Sequence, residues 1–354
     1  MSSLSRPDQL PRLGRREGEA TVRERCRHAR LSGRGDRGDR PASAAPAARQ
    51  GHQVTATIRS PEKVQRLRAL GAEPVVVDAL DWVAVGEAVA RAGPEAIIHQ
   101  MTALSGMSDL RRFDRVFAAT NELRTKGTDH LLRAAAAAGV GRFIAQSYTN
   151  WPNAREGGPV KSEQDPLDPN PPRAQARSLA AIRHLEQAVL AAPLEGMVLR
   201  YGNFYGPGAS EMLLELVRRR KLPLVGSGAG VWSWIHVDDA AAATVAALER
   251  GQRGVYNVVD DDPAPVAEWL PFLAALAGAK PPLHLPVWLG RLAAGAVGVS
   301  MMTQVRGSSN QKAKRELDWQ PRWRSWRQGF RHGLVDASPN GTPLPGAPGR
   351  AALT

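Results

Sequence analysis

The stretch at residues 51–78, GHQVTATIRSPEKVQRLRALGAEPVVVD, decides the fold of this chain. Apolar runs at 53–58 and 73–77 flank a segment of helical character at 61–70, which is the pattern of two parallel strands joined by a helix. Four more apolar runs alternate with helical segments, at 96–99, 142–146, 197–201 and 255–258. Strands that are nearly all apolar are typical of a sheet covered by helices on both faces. The sequence therefore predicts an α/β fold with a doubly wound parallel sheet.

The fifty residues before this stretch contain no such strand. A Rossmann-type nucleotide-binding unit begins with an apolar strand, a glycine-rich turn and a helix whose N-terminus faces the pyrophosphate. Residues 27–50 are instead RHARLSGRGDRGDRPASAAPAARQ. This composition cannot offset an ordering cost of about 1–2 kcal/mol per residue. We therefore expect residues 1–50 to be disordered or out of frame, and the first β-α unit to be missing.

A change of reading frame accounts for the missing unit. With GC-rich codons, the segment GRGDRGDRP at 33–41 read one base later can spell A-G-A-T-G-A-I-G-R, which contains the glycine turn. The same shift gives a buried-strand pattern at 27–32 and a leucine-rich helix at 42–50. Without a first strand, the strands at 53–58 and 96–99 would have open edges, so the hypothesis also predicts poor solubility.

Composition narrows the class of protein. The net charge is +13, but residues 1–50 hold twelve Arg against six acidic residues, and the rest of the charge is spread thinly. Because no basic cluster is interleaved with aromatic residues, we expect no nucleic-acid partner. The single cysteine, Cys26, excludes a disulfide framework and a thiolate metal site, which fits a cytoplasmic protein. Residues 283–302 are interrupted by Gly, Pro, His and Arg, so we expect no membrane span.

The organisation predicted from these patterns has two lobes. A Rossmann-like NAD(P)-binding domain covers residues 51–201 and is rejoined by 232–258. A smaller substrate lobe covers 202–231 and 259–334, where Gly/Pro turns and a helical pair replace the regular alternation. Residues 335–354, rich in Gly and Pro, are predicted to be a disordered tail.

Six motifs carry a family resemblance. They are AIIHQMTAL at 96–104, KGTDHLLRAA at 126–135, RFIAQS at 142–147, LRYGNFYGPG at 199–208, WIHVDDAAAA at 234–243 and SNQKAKRELDWQPRW at 309–323. In this order and spacing the chain resembles the extended, or atypical, short-chain dehydrogenase/reductase superfamily, the NAD-dependent epimerase/dehydratase group. The resemblance implies an NAD(P)-dependent oxidoreductase or epimerase/dehydratase-like protein that acts on a small-molecule substrate, as a possible homodimer.

The resemblance also implies where the cofactor lies. Asp78, followed by Ala79, closes the third strand and matches the position that holds adenine; its structural alternative is a loop-capping role. Arg59 and Ser60 follow the second strand, where an acidic residue would bind a ribose hydroxyl and an arginine a 2′-phosphate, so NADP is favoured over NAD. The remaining cofactor-binding candidates lie at the ends of later strands: Gln100, Met101 and Thr102 after the fourth strand, and Tyr201 and Asn203 further along. His99, just before Gln100, is either a packed strand residue or a ligand.

The catalytic positions depart from the family pattern. Family enzymes use Tyr-x-x-x-Lys, and spacing back from Glu186 puts Ser178 at the tyrosine position and Ile182 at the lysine position. Neither side chain can carry the proton transfer. Ser147 and Tyr148 are the candidate catalytic residues that remain, although no cation is evident beside Tyr148 to activate its phenol.

Three interpretations stay open. The chain is an NAD(P)-dependent enzyme, or an NAD(P)-binding sensor or assembly protein without turnover, or a non-functional product of a frame error. On the substrate side, Trp232-Ser233-Trp234 replaces the arginine with which sugar-nucleotide epimerases hold a diphosphate. These indoles either line a pocket for an uncharged or aromatic substrate or belong to the core. Asp238 and Asp239 are expected to cap a helix.

Overall fold

The main sheet contains seven parallel strands, which we number β1 to β7. The computed structural model describes residues 27–32, 47–48, 51–103 and 109–334. The strands are Arg27–Ser32 (β1), Gln53–Ile58 (β2), Ala72–Val76 (β3), Ala96–Gln100 (β4), Arg142–Tyr148 (β5), Glu195–Tyr201 (β6) and Gly254–Val258 (β7). Their spatial order is β7-β6-β5-β4-β1-β2-β3, and every neighbouring pair is parallel. The predicted α/β fold with a doubly wound sheet is confirmed.

The expectation that the first strand is missing is wrong. β1 lies at the centre of the sheet, where Arg27 pairs with Gln53 of β2 and His28 pairs with Ala96 of β4. Without it, β2 and β4 would each present a row of unpaired backbone N–H and C=O groups, and an extended segment satisfies both rows whatever its side chains. β2 and β4 therefore have no open edges toward each other, and the reason for expecting poor solubility no longer applies.

Part of the helix expected after β1 is also described. Ala47 and Ala48 are helical, and Ala47 is buried in a cluster with residues of β2 and β3. The prediction of no packed element in residues 1–50 is thus wrong for β1 and for this helical pair. The glycine-rich run at 33–41 and the tail at 335–354 lie outside the described residues.

Twelve α-helices are described. They are Val64–Ala69 (α1), Trp82–Ala92 (α2), Phe113–Val116 (α3), Ala118–Glu122 (α4), Thr128–Ala137 (α5), Ala176–Ala191 (α6), Glu211–Arg218 (α7), Val237–Arg250 (α8), Val266–Leu276 (α9), Val287–Thr303 (α10), Gln311–Glu316 (α11) and Trp326–His332 (α12). Besides these and the helical pair at residues 47–48, the described chain has three 3₁₀ turns, Pro61–Lys63, Leu110–Arg112 and Arg173–Gln175, and one π-helical turn, Leu123–Gly127. None of these helices is long and apolar enough to cross a membrane.

Helices cover both faces of the sheet because successive strand residues point to opposite sides. In β5, Phe143 and Ala145 pack into one core cluster with residues of α2, α5 and α6. Ile144 packs into the opposite cluster with residues of α8 and α11. Both faces of the central strands are thereby closed, and their carboxyl ends become the natural place for a site.

A smaller lobe forms around the carboxyl ends of the strands. Its short strands pair in twos: Val160–Lys161 with Gly307–Ser308, Asn203–Tyr205 with Trp234–His236, Leu224–Val225 with His284–Leu285, and Val231–Trp232 with Ala264–Pro265. Trp234 is 1% exposed and packs edge-on against Trp269, with ring centroids 5.0 Å apart. Trp232 is half-buried, and its indole N–H donates to the Met301 carbonyl at 2.8 Å. The core interpretation of these indoles is the one that applies.

The expected caps of α8 are also placed differently. His236 is the N-cap, since its Nδ1 accepts a hydrogen bond from Asp238 N at 3.1 Å. Asp239 is buried and accepts from the backbone N–H groups of Arg322 and Trp323, at 2.9 Å each. It therefore anchors the chain before α12 rather than capping its own helix.

Candidate active site at the carboxyl ends of the strands

The cofactor candidates at the second and third strands lie on the surface. Arg59 is exposed directly after β2, and Ser60 is half-buried with no hydrogen bond from its side chain to the following 3₁₀ turn. Asp78 is exposed, and its Oδ1 accepts from Leu80 N at 3.1 Å, so it shapes the loop as the structural alternative proposed. Ala79 is buried against the core. The exposed guanidinium and carboxylate are both accessible to a ligand at this edge.

His99, near the end of β4, is a packed strand residue. Its Nδ1 accepts from Met101 N at 3.3 Å, so its proton resides on Nε2, which lies 3.0 Å from the Thr128 hydroxyl. Burial, with a smaller contribution from the charge of Arg124, lowers the pKa of His99 to about 4. The ring is therefore neutral at physiological pH and fully engaged.

Gln100 and Tyr201 are brought together at the next strand ends. Gln100 Nε2 lies 3.3 Å from the Thr244 hydroxyl and 3.5 Å from the Tyr201 hydroxyl. Tyr201 is 1% exposed, and its hydroxyl is 2.7 Å from that of Thr244. Thr102 is half-buried beside the described end of β4. These contacts tie β4, β6 and α8 together beneath the site.

Ser147 holds a buried ion pair in place. Its Oγ donates to Glu186 Oε1 at 2.7 Å. The same carboxylate accepts two hydrogen bonds from Arg200, from Nε at 2.8 Å and from Nη2 at 2.6 Å. All three side chains are buried, so the serine hydroxyl serves the ion pair and is not offered to a substrate.

Tyr148 is the one candidate acid whose ring reaches the site. Its hydroxyl donates to Asn203 Oδ1, which connects the end of β5 to the residues that follow β6. Burial raises the pKa of Tyr148 to about 12, and this outweighs the opposing effects of a hydrogen bond to Asn150 and of the charge on Arg124. A phenol with this pKa is a poor proton donor or base near pH 7.

The two positions of the family's catalytic pair are occupied by packed side chains. Ser178 is fully buried on α6; its hydroxyl donates to Asp114 Oδ1 at 2.6 Å and accepts from Asn121 Nδ2 at 3.0 Å. Ile182, one turn later, is fully buried in an apolar cluster with Phe113 and Trp151. The lysine position is thus apolar, as the sequence predicted.

Lys161 does not supply the missing cation. It lies in the short strand paired with Gly307–Ser308, and its ammonium donates to the Glu156 carbonyl at 2.5 Å and to Asp165 at 3.4 Å. These contacts engage the ammonium within its own loop.

Arg124 is the site residue that the sequence analysis missed. It lies in the π-helical turn between α4 and α5, is 8% exposed, and interacts electrostatically with Glu186 and Tyr148. Burial lowers its pKa to about 10, which still leaves it cationic at neutral pH. Its Nη1 is buried and has no hydrogen-bond partner within the described part of the chain. A cation does accompany Tyr148, although its charge does not offset the effect of burial on the phenol.

The residues at this edge fit a dinucleotide in part. The sheet reverses its strand order between β1 and β4, and the candidates at the carboxyl ends of β2, β3 and β4 run toward that switch point, where such folds bind nucleotides. Exposed Arg59 and Asp78 offer a phosphate-binding cation and a hydrogen-bond acceptor. The glycine turn expected for the pyrophosphate falls outside the described residues.

Comparisons with known proteins agree with this architecture. Solved structures with the same fold include a UDP-glucose 4-epimerase from Thermotoga maritima, with a TM-score of 0.65, 21% identity and coverage of 87% of this chain and 97% of that one. A human epimerase family protein with NADPH gives a TM-score of 0.64 at 20% identity, covering 86% and 97%.

Curated relatives are more similar in sequence. A 3-diazoavenalumate denitrifying reductase from a Streptomyces species is 43% identical over 287 residues, which is 79% of this chain and 92% of that protein. A 2-alkyl-3-oxoalkanoate reductase from Stenotrophomonas maltophilia is 30% identical over 244 residues, 65% of this chain and 70% of that protein. The family model described as NAD dependent epimerase/dehydratase matches residues 42–259. With this match over more than half of its length, the chain belongs to the NAD-dependent epimerase/dehydratase family, whose members bind NAD(P).

Proposed function

We propose that this chain is an NAD(P)H-dependent reductase that delivers hydride to a small aryl diazonium compound, with release of dinitrogen. The observation that carries the proposal is the absence of a competent proton donor in the described site. Ser178 and Ile182 stand where the acid/base pair would be, and the pKa of Tyr148 is raised to about 12. The 43% identical relative is named for the reduction of a diazo compound with loss of nitrogen, and it matches the chain over most of its length.

The stoichiometry explains why such a site needs no acid. In the conversion R–N₂⁺ + H⁻ → R–H + N₂, the hydride becomes the new C–H hydrogen, the C–N bond breaks and its electrons stay with N₂. No proton enters or leaves. Bound NAD(P)H would supply the hydride, and the residues of the chain have to orient the two reactants and exclude water.

Carbonyl reduction is the second candidate. The 30% identical relative is a reductase of a 3-oxoalkanoate, and Arg124 interacts electrostatically with Tyr148, which would then donate the proton. Reduction of a ketone consumes one hydride and one proton, so its rate should fall when Tyr148 is removed. The high pKa of that phenol makes this the less favoured function.

The finer expectations from the sequence stay with this proposal. Arg59, exposed after β2 where an acidic residue would bind a ribose hydroxyl, supports NADP over NAD. A homodimer and a cytoplasmic location are predictions that go with it. An NAD(P)-binding sensor without turnover remains the rival outcome, and it predicts cofactor binding with no consumption.

A direct assay tests the proposal. The full chain is incubated with saturating NADPH and 4-carboxybenzenediazonium labelled with ¹⁵N, while absorbance at 340 nm and ¹⁵N₂ are followed, with heat-denatured protein as the control. The proposal expects one N₂ for each NADPH oxidised, at a rate well above the control. Binding of NADPH without N₂ release would refute the reductase and favour the sensor.

A further inference from the structure

Arg124 is a buried cation whose Nη1 has no hydrogen-bond partner within the described residues. The Arg124 side chain is 8% exposed, so its charge is largely removed from solvent. Removing a guanidinium from water costs several kcal/mol unless a partner replaces the lost solvation. A side chain in this state is poised to receive a ligand.

The neighbouring carboxylate is already used. Glu186 binds Arg200 through both oxygens and also accepts the Ser147 hydroxyl. With His99 neutral and Tyr148 protonated, the buried groups Arg124, Glu186 and Arg200 sum to one positive charge. We call these three residues the Arg124 cluster. The half-buried Glu163 also interacts electrostatically with Arg200, whereas the carboxylate that acts on Arg124 is Glu186, so a further negative charge beside Arg124 would complete the cluster.

The local backbone holds Arg124 in this position. It lies in the five-residue π-helical turn Leu123–Gly127, an irregularity that shifts side chains relative to a regular helix and that recurs at functional sites. The hydroxyl of Thr128 donates to the Arg124 carbonyl at 2.7 Å, which ties the turn to the start of α5. The turn thus holds the guanidinium where it interacts with Tyr148, at the end of β5, and with Glu186, within α6.

We propose that Arg124 binds a carboxylate of the substrate. A planar guanidinium matches a carboxylate through two parallel hydrogen bonds, and the pair supplies the missing negative charge. The choice of a substrate carboxylate rests on the proposed function, since the diazo relative is named for a carboxylate, 3-diazoavenalumate. A cofactor phosphate is the other source of an anion, but the phosphate candidate Arg59 lies at the end of β2, whereas Arg124 interacts with Tyr148 at the end of β5.

Aromatic side chains stand beside the same strand end. The rings of Tyr148 and Trp151 have centroids 6.4 Å apart, and Phe113 lies edge-on to Trp151 at 5.2 Å. A planar aromatic carboxylate is therefore a suitable probe. Cinnamate and its neutral amide, cinnamamide, share a shape and differ in charge.

Calorimetric titration of the full chain with both probes tests the proposal without requiring turnover. The wild type should bind cinnamate at least about tenfold more tightly than cinnamamide, and Arg124→Met should reduce this ratio to near one. Arg124→Lys should retain part of the discrimination. Arg133→Met, the same change at an exposed position of α5, should leave the ratio unchanged.

Thermal unfolding of the ligand-free variants distinguishes binding from a structural role. Because Arg124→Met removes an uncompensated buried charge, its melting temperature should be equal to or above that of the wild type. An unchanged acid-to-amide ratio, or a lowered melting temperature, would overturn the proposal. So would a loss of NADPH affinity with the ratio intact, which would assign the anion to the cofactor. If the ratio behaves as expected but no N₂ is released, only the proposed function fails.

Discussion

Glu186→Gln should destabilise the protein more than Arg200→Met, although the two side chains form one ion pair. Glu186 is the single acid among the buried charges of the Arg124 cluster, and its Oε2 lies 2.6 Å from Arg200 Nη2. Neutralising it leaves Arg124 without the carboxylate that acts on it, and leaves Arg200 with the electrostatic attraction of the half-buried Glu163. Loss of one partner of a buried pair costs about 3–5 kcal/mol, and we expect Glu186→Gln in that range.

Arg200→Met leaves a different sum of charges in the Arg124 cluster. The Glu186 carboxylate keeps the Ser147 hydroxyl and the attraction of Arg124, so the buried charges then sum to zero. The expected cost is that of the lost charge-assisted hydrogen bonds, about 1.5–3 kcal/mol. The same change should weaken cinnamate binding, because the cluster no longer carries a positive charge.

Urea denaturation followed by tryptophan fluorescence measures both costs. Lys126→Met serves as the control, since its ion pair with Glu122 is exposed and should contribute about 0–1 kcal/mol. The account requires Glu186→Gln to exceed Arg200→Met by at least about 1 kcal/mol. Equal losses, or a larger loss for Arg200→Met, would show that Arg124 does not act on Glu186 and would refute the charge balance.

Three further predictions concern pH, cofactor and gene. The pKa of His99 in the folded protein is lowered to about 4 from an ordinary value near 6.5, so its contribution to the free energy of unfolding is complete above pH 6.5 and is lost as the pH falls toward 4. The wild type should therefore lose up to about 3 kcal/mol of stability over this range. A His99→Gln variant whose stability depends on pH in the same way would contradict this. Arg59→Asp should lower the NADPH-to-NADH ratio of kcat/KM at least about tenfold, with Arg66→Asp on α1 unchanged; equal ratios would remove Arg59 from the cofactor site. Nucleotide sequencing should show that the frame one base later across residues 33–41 encodes the glycine turn. A version with that frame restored over residues 27–50 should bind NADP(H) more tightly than the present chain, for which we expect affinity weaker than micromolar. A stop codon in that frame, or micromolar binding by the present chain, would contradict the hypothesis.

The sheet could be predicted from the sequence where its strands are apolar. The bounds of β2 were predicted as observed, and the other strands from β3 onward differ by at most two residues at either end. These strands are buried and therefore consist of apolar residues, which can be recognised in the sequence. β1 was not predicted because its pairing depends on backbone groups of β2 and β4. The residue types of the segment RHARLS do not indicate this pairing.

Several residues of the candidate site could be predicted from the sequence, but the buried positive charge of Arg124 could not. The vacant catalytic pair followed from spacing, and Tyr148 does meet Asn203. Arg124 was missed because it lies in a π-helical turn, Leu123–Gly127, and an insertion of this kind depends on tertiary packing rather than on the local sequence. Burial of a guanidinium likewise cannot be deduced from an arginine in a polar stretch. Asp239 was misassigned for a similar reason, since its partners lie more than eighty residues away.

The central claim is that the chain transfers hydride without an acid of its own. The most direct test is the rate of ¹⁵N₂ release from labelled 4-carboxybenzenediazonium with NADPH, compared between wild type and Tyr148→Phe from pH 6 to pH 9. The account predicts one N₂ per NADPH oxidised and, at each pH, a rate for Tyr148→Phe within about threefold of wild type. Release no faster than with denatured protein, or a loss of more than about a hundredfold in Tyr148→Phe, would contradict it.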